Sequence, residues 1–314
     1  MEMNALRGPL RPLDPIAAIL ADPSPAVLAI VAGVEGPSYR PVGATMALWP
    51  NGRRVGALSS GCIEADLARH ALAALDCGQP RALRYGRGSP FADLALPCGG
   101  GLDILLVPAP DRDALSRLSE SRAARCPVTL EIACDTGALK LLDEGETGRF
   151  GETLRIRFEP DRRFFVFGAG PEATTFTAIA EAAGFPCLLL SPDAEARTAA
   201  IAHGALARAL DLPHYPDDLK ADAWTGIVLF FHDHDWEPPI LARALATPAF
   251  YVGAQGSLQA AAVRRDALQA EGLGADMLSR LRGPMGLIPS ARDPATLAVS
   301  VLAEALADAR ARAG

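Results

Sequence analysis

The hydrophobic positions change period along the chain, and each change predicts an element. Ala26 to Ala32 (AVLAIVA) is apolar without interruption and of strand length, as in a strand covered on both faces. It runs into Glu35–Gly43, where two prolines and two glycines specify a shaped loop. Ala44–Trp49 and Arg54–Leu58 flank Pro50-Asn51-Gly52. Asn51-Gly52 predicts a two-residue hairpin turn, and Pro50, lacking an N–H, predicts that the turn lies at a sheet edge. From Ile63 the spacing becomes helical, through Leu67, Ala71, Ala74 and Leu75, until Gly78 closes the helix. A Ser or Gly N-cap before Ile63 would put Cys62 in the first helical turn.

The remainder reads in two blocks. A short helix is expected over 12–22, a strand over 82–85, and an apolar strand to Pro108 after the triplet Gly99-Gly100-Gly101. A helix follows from Asp111 to Ser121, then strands at Val128–Ala133, Leu139–Leu142 and Thr153–Phe158, with turns at 135–137 and 143–151. These form an α+β domain over 1–160. The second domain, 161–314, opens with strand Phe164–Phe167, the turn Gly168-Ala169-Gly170, a helix to Ala183 and strand Cys187–Leu190. Strand, GxGxxA turn, helix and strand in that order are what a Rossmann-like parallel sheet requires. Further strands are expected at 226–231 and 250–253, a helix from Ser257 to Glu271, a loop at 283–287 and a terminal helix from Pro294 to Ala313. The fold class is therefore α/β, an α+β domain followed by a Rossmann-like one.

Composition narrows the setting. The net charge of −7 over 314 residues leaves no basic footprint for nucleic acid or for a membrane surface. No apolar run reaches the roughly 18–20 residues needed to span a bilayer, and the first fifteen residues lack a signal-peptide core. The six cysteines include no CxxC pair, which argues against a zinc ribbon or disulfide scaffold and for a reducing cytoplasm.

Several residues carry candidate chemistry. A first-turn thiol at Cys62 would be stabilised as the thiolate; a small buried core residue is the other reading of that position. Arg40 offers a fork for phosphate or carboxylate, and the Tyr39 ring a stacking surface, against the plainer reading of an ordinary surface pair. Three consecutive glycines beside Cys98 point to a close approach of backbone or ligand. In the second domain Ser191 stands where a ribose-binding acid is expected, Asp193 comes two residues late, and Glu172 would repel a pyrophosphate if it points inward. His232 and His234, beyond the strand at 226–231, would lie on one side of it if it persists, as metal ligands or an acid–base pair. Ser257 can N-cap its helix at a second anion site.

In order along the chain, YRPVGATM, the NG hairpin, SSGCIEAD, PCGGGLDILLVP, FFVFGAGPEA, HDHD, YVGAQGS, GPMGL and PATLAVSVLAEAL resemble the XdhC/CoxI family of xanthine dehydrogenase accessory proteins. The resemblance covers nearly the whole chain. It implies a chaperone, rather than an enzyme, that binds the molybdenum cofactor (molybdopterin), protects it while a cysteine desulfurase replaces an oxo ligand with sulfur, and delivers it to an apo molybdenum hydroxylase. A cytoplasmic homodimer is the expected form. Carried over residue by residue, the cofactor contacts are Tyr39, Arg40, Gly43, Gly61, Cys62, Glu64, Cys98, Gly99 and Gly100, then Gly168, Gly170, Gly253, Gly256 and Ser257, with His232 and Asp233 from HDHD. Cys62, Cys98, His232 and His234 are the candidate metal ligands. The sequence departs from the family pattern at Ser60, Pro171, Ser191, Leu258, Gln259 and Ile288–Ser290. Most departures fall in the Rossmann half and weigh against an NAD(P) site there; an NAD(P)-binding oxidoreductase built on that half is the alternative.

Overall fold

The computed structural model describes residues 14–59, 61, 63–89 and 99–313. They form two compact units that meet in sequence between Pro160 and Asp161.

The N-terminal unit is organised around β1 (Val27–Glu35). Strands β2 (Thr45–Leu48), β3 (Arg54–Gly56), β4 (Arg81–Gly86) and β5 (Gly101–Pro108) join it in an antiparallel sheet of order β3-β2-β1-β5-β4. Alternate β1 residues serve opposite faces. Val27, Ala29 and Val31 pack with Ile63, Leu67 and Ala71 on and beside α2 (Glu64–Cys77). Leu28 and Ile30 pack against a second layer containing α1 (Pro15–Ala21) and α3 (Arg112–Ala123). That layer also holds a four-stranded antiparallel sheet of β6 (Val128–Ala133), β7 (Leu139–Leu142), β8 (Gly148–Phe150) and β9 (Thr153–Phe158), ordered β7-β6-β9-β8. The unbroken apolar run thus reports two covered faces within an antiparallel sheet.

The hairpin corrects one expectation. Gly52 N–H donates to Trp49 O at 3.0 Å, so the turn is centred on Pro50-Asn51, with Gly52 following at φ 82°. A three-residue loop replaces the two-residue Asn-Gly turn, because proline presets the first turn position. Pro50 does sit beside an edge strand, β3. A second correction concerns α2, which begins at Glu64 after an Ile63 N-cap that makes no side-chain cap bond. Cys62, expected in the first turn, lies outside the described residues. Gly78 closes α2 in the left-handed region, as its lack of a side chain allows. Strand β8 lies inside the stretch expected to be a turn.

The C-terminal unit is a parallel sheet. It contains β10 (Arg163–Gly168), β11 (Cys187–Ser191), β12 (Leu206–Ala209), β13 (Thr225–Phe230), β14 (Tyr251–Ala254) and the short β15 (Leu281–Arg282), ordered β12-β11-β10-β13-β14-β15. This is the doubly wound dinucleotide-fold order, with its switch point between β10 and β13. Helices α4 (Gly170–Ala182), α5 (Ala194–Ala202) and α9 (Pro294–Ala313) share one core with Phe164 and Val166. Helices α6 (Glu237–Leu245), α7 (Leu258–Ala270) and α8 (Ala275–Ser279) share the opposite core with Phe165 and Phe167.

Candidate functional site

The sheet of the N-terminal unit gathers its motif loops. β1 is antiparallel to β2 and β5, and β5 is antiparallel to β4. The register pairs Glu35 with Gly101, Gly86 with Gly101 and Met46 with Gly56. The loops 36–44, 57–63 and 87–100 therefore leave the same end of one sheet. Those loops carry Tyr39, Arg40, Gly43, Gly61, Gly99 and Gly100. Cys62 and Cys98, assigned to the same loops by sequence, lie outside the described residues, as does Ser60.

The 57–63 loop is held by a buried carboxylate. Glu64, 6 % exposed, accepts from Ser59 N (3.1 Å), Ser59 Oγ (2.8 and 2.9 Å to its two oxygens) and Ile63 N (3.2 Å). Ser59 Oγ in turn accepts from Gly61 N at 3.1 Å. Ser59 and Glu64 thereby take up amides of the loop that leads into α2. Both Glu64 carboxylate oxygens are thus engaged by this loop. Asp66, two residues on, accepts from the buried Tyr85 hydroxyl at 2.7 Å and also faces Arg69 and His70. This anchors the start of α2 to the end of β4. Burial pushes the Asp66 carboxyl up, but Tyr85, His70 and Arg69 outweigh it and hold it below its usual value. Burial also lowers the His70 imidazole, against the pull of Asp66.

The other two loops touch through glycine backbone. A Cβ on Gly100 would lie 2.2 Å from Pro37 O and 2.9 Å from Glu35 O, so only glycine fits. Arg87 N donates to Gly100 O at 3.0 Å. Arg84 ties the strand ends together: it bonds Asp103 at 2.9 and 3.0 Å, Arg87 O at 2.9 Å, and the Glu35 carboxylate. The Asp103 hydrogen bond leads the causes that raise the Arg84 guanidinium above its ordinary value. Sequence reasoning missed Arg84, Asp103 and Asp66; the signal for Asp103 was a lone charge inside an apolar strand.

The glycines divide by environment. Gly43 (φ 90°) packs inward, where a Cβ would meet Ile156 Cγ2 at 2.9 Å, so its role is to seat its loop on β9. Among the described residues nothing lies within 4 Å of a would-be Cβ on Gly61 (φ 106°) or Gly99 (φ 70°). Tyr39 is 57 % exposed, and Arg40 is exposed with no side-chain hydrogen bond or ion pair among the described residues. Ser38 Oγ donates to Arg40 O at 2.8 Å and shapes this tip. Among the described residues the end of the sheet presents a ring, an uncommitted guanidinium and two glycines with no near neighbour.

The C-terminal unit places its glycine turn at the switch point. A Cβ on Gly168 would lie 2.5 Å from Phe230 O, the close approach the fingerprint predicts. Gly170 opens α4 at φ 78°. Glu172 does turn inward: its Oε2 lies 3.6 Å from a would-be Gly170 Cβ and 3.4 Å from His232 Nε2. A carboxylate therefore stands beside the turn where a pyrophosphate would sit. Ser191 accepts from Asp193 N at 3.1 Å, while Asp193 N-caps α5, so no acid is offered to a ribose. β13 ends at Phe230, and His234 opens a 3-10 turn to Trp236, so the two histidines do not share a strand face. The His234 side chain lies outside the described residues. Among the described residues no group of three or more His, Cys, Asp and Glu is placed to hold a metal. Gly253 packs on its own strand, with the Tyr251 ring 2.6 Å from a would-be Cβ. Gly256 (φ 137°) leads to Ser257, which N-caps α7 through Ala260 N at 3.1 Å. Behind that turn the buried Arg264 bonds Glu237 at 2.7 and 3.1 Å and Gln255 O at 2.5 Å. The GAQGS turn is thus tied, through Arg264 of α7, to Glu237 at the start of α6.

This pairing of an antiparallel α+β unit with a Rossmann unit defines the class. The XdhC and CoxI family profile matches residues 19–86, and the profile of the XdhC Rossmann domain matches residues 164–305. The chain belongs to the XdhC/CoxI family. It is 32 % identical over 280 residues to the Escherichia coli molybdenum cofactor insertion chaperone PaoD, covering 89 % of this chain and 82 % of that one. It is 28 % identical over 330 residues to a Bacillus subtilis protein described as a probable xanthine dehydrogenase subunit, covering 91 % and 94 %. A crystal structure described as a xanthine dehydrogenase from Bacillus halodurans superposes with a TM-score of 0.78 at 23 % identity, covering 95 % of both chains, which shows a shared fold. No helix among the described residues is long and apolar enough to cross a membrane.

Proposed function

We propose that this protein is a molybdenum cofactor insertion chaperone whose cargo docks at the loop end of the N-terminal sheet. The reading is carried by the convergence of three motif loops at that end, in a chain whose relative PaoD is named for this role. Arg40 takes the cofactor phosphate, because its fork is uncommitted and matches phosphate geometry. Tyr39 stacks on the flat pterin. Gly61 and Gly99 admit the cargo close to the main chain, while Glu64, Gly43 and Gly100 hold the loops in place. Cys62 and Cys98 supply soft sulfur to the metal's ligand sphere. The protein holds the cofactor during sulfuration by a cysteine desulfurase and passes it to a xanthine dehydrogenase-type apo-enzyme, acting as a cytoplasmic homodimer.

Incubation with molybdopterin, gel filtration and measurement of retained molybdenum and pterin fluorescence test this. Wild type retains both, and Cys62→Ala and Arg40→Ala lose most of the retained material. Equal retention by Cys62→Ala removes the thiol from the site. Failure of wild type to retain any cofactor, with NADH binding seen by calorimetry, replaces the reading with that of an oxidoreductase.

A further inference from the structure

A helix on a protein surface is normally charged or polar opposite its buried stripe. Helices α3 and α7 follow this rule, exposing Arg117 and Glu120, and Arg265 and Asp266. Two helices of the C-terminal unit do not. α4 and α9 lie side by side on one face of the parallel sheet. α4 buries Ala173, Phe176 and Ala180, and its opposite side carries Pro171, Thr175, Ala178 and Ala182. α9 buries Ala298, Val301 and Ala305 and exposes Ala295, Val299 and Ala303. The acids of both helices turn aside: Glu172 to His232, Glu181 to Cys187 N at 2.7 Å, Glu304 to Gly286 N at 2.8 Å and Asp308 to Arg282 at 2.7 Å. The outward side of the pair is therefore uncharged as far as Arg310.

The loop after β15 widens this face. Ile288 N donates to Ser300 Oγ at 2.7 Å and Gly286 N to Glu304, which pins the loop along α9. Leu287 and Ile288 stay 58 % and 47 % exposed there, next to the turn of α9 whose Val299 is 52 % exposed. Large apolar side chains exposed singly need no explanation, but three on one uncharged face mark a contact surface. Helix spacing and length make the face roughly 25 Å across, the scale of an interface of about 800 Å² per partner.

Charge says what covers it. At a net −7, two copies of this chain repel over most of their surface, and an uncharged face is where they can meet. Charges of opposite sign stand at the two ends of α9. Asp293 caps its start, accepting from Thr296 N at 2.8 Å. Arg310, near its end, is exposed and makes no side-chain hydrogen bond or ion pair among the described residues. A two-fold axis through the middle of α9 runs two copies antiparallel and brings each Asp293 near Arg310 of the other copy. Arg292 adds a cation at the same end, so this contact sets direction more than strength.

We infer that the outward face of α4 and α9 is the interface between two copies of this chain, packed α9 against α9 about a two-fold axis. The inference rests on the proposed function only in taking two subunits as the assembly, and it adds the surface through which they meet.

Light scattering during gel filtration of the full chain tests it. Wild type is expected to be a dimer at about 50 µM, because interfaces of standard size hold at micromolar concentration or below. Val299→Glu sets an unpaired carboxylate in the contact and is expected to weaken association about tenfold or more. Val299 is exposed in a single copy, so the variant is expected to keep the wild-type circular dichroism and melting temperature. Ala303→Cys, close to the axis, is expected to cross-link with a short bismaleimide above the level set by the exposed Cys77 and Cys126 of wild type. The proposal is overturned by a monomeric wild type, by a folded Val299→Glu that remains a dimer, or by Ala303→Cys cross-linking no more than wild type. Molybdopterin retention is measured on the same fractions. A dimer that breaks at Val299→Glu but retains no cofactor supports the interface while the chaperone reading fails; a monomer that retains cofactor overturns the interface alone.

Discussion

The two glycine-rich turns of this molecule treat acidic side chains in opposite ways. In the N-terminal unit Glu64 faces into its own backbone, binding Ser59 and Ile63, so the loop it holds keeps its outer side free. In the C-terminal unit Glu172 folds over the turn it accompanies and meets His232. The first arrangement leaves no described residue within 4 Å of a would-be Gly61 Cβ; the second puts negative charge where a nucleotide phosphate would rest. A glycine pattern alone therefore does not show whether a turn is open. The nearest carboxylate decides it.

The largest test of this contrast is Glu64→Ala. It strands Ser59 N, Ser59 Oγ and Ile63 N, and each buried polar group left unpaired costs about 1–3 kcal/mol. A loss of about 3–4 kcal/mol is expected in urea titration; a loss below about 1 kcal/mol would mean that the carboxylate does not hold the loop. Gly100→Ala comes next. Its Cβ meets main-chain oxygens that cannot yield, so about 2–3 kcal/mol is expected, as for an overpacked core site. Gly99→Ala next door meets no described residue and has the left-handed backbone to resist it, so about 1 kcal/mol is expected. Equal losses at 99 and 100 would erase the distinction between a packed and an open glycine. Glu172→Ala is smaller still. Its partner His232 is 73 % exposed, and removing such a pair is expected to change stability by less than about 1 kcal/mol.

The least effect should come from pH. His70 has its folded-state value lowered by burial, so the unfolded chain binds the proton more readily. Stability attributable to His70 is therefore complete above the unfolded value of 6.5 and declines as pH falls below it. Denaturation midpoints measured from pH 7.5 to 5 should fall less in His70→Asn than in wild type.

Much of the fold was legible because the apolar pattern matched the final burial. The run at 26–32 became the doubly covered β1, and the GxGxxA turn became the switch point of the parallel sheet. The errors are local. Proline at position 50 moved the turn by one residue, and α2 begins at Glu64 after an Ile63 N-cap that makes no side-chain cap bond. The site was half legible. Motif residues could be named from the chain, but their meeting at one end depends on strand register. Nor could the sequence tell that Gly43 and Gly253 face packed side chains while Gly61 faces open space. The Arg84–Asp103–Glu35 tie joins three strands that are far apart in sequence, and no local pattern announces it.

The shared origin of the three loops has a consequence for recognition. Because they spring from one hydrogen-bonded ladder, an enzyme that docks on any of them meets a single epitope. Paired substitutions drawn from different loops should then interact energetically in a client-binding assay instead of summing. Selection acting on the client would be felt across residues some sixty positions apart as if they were neighbours.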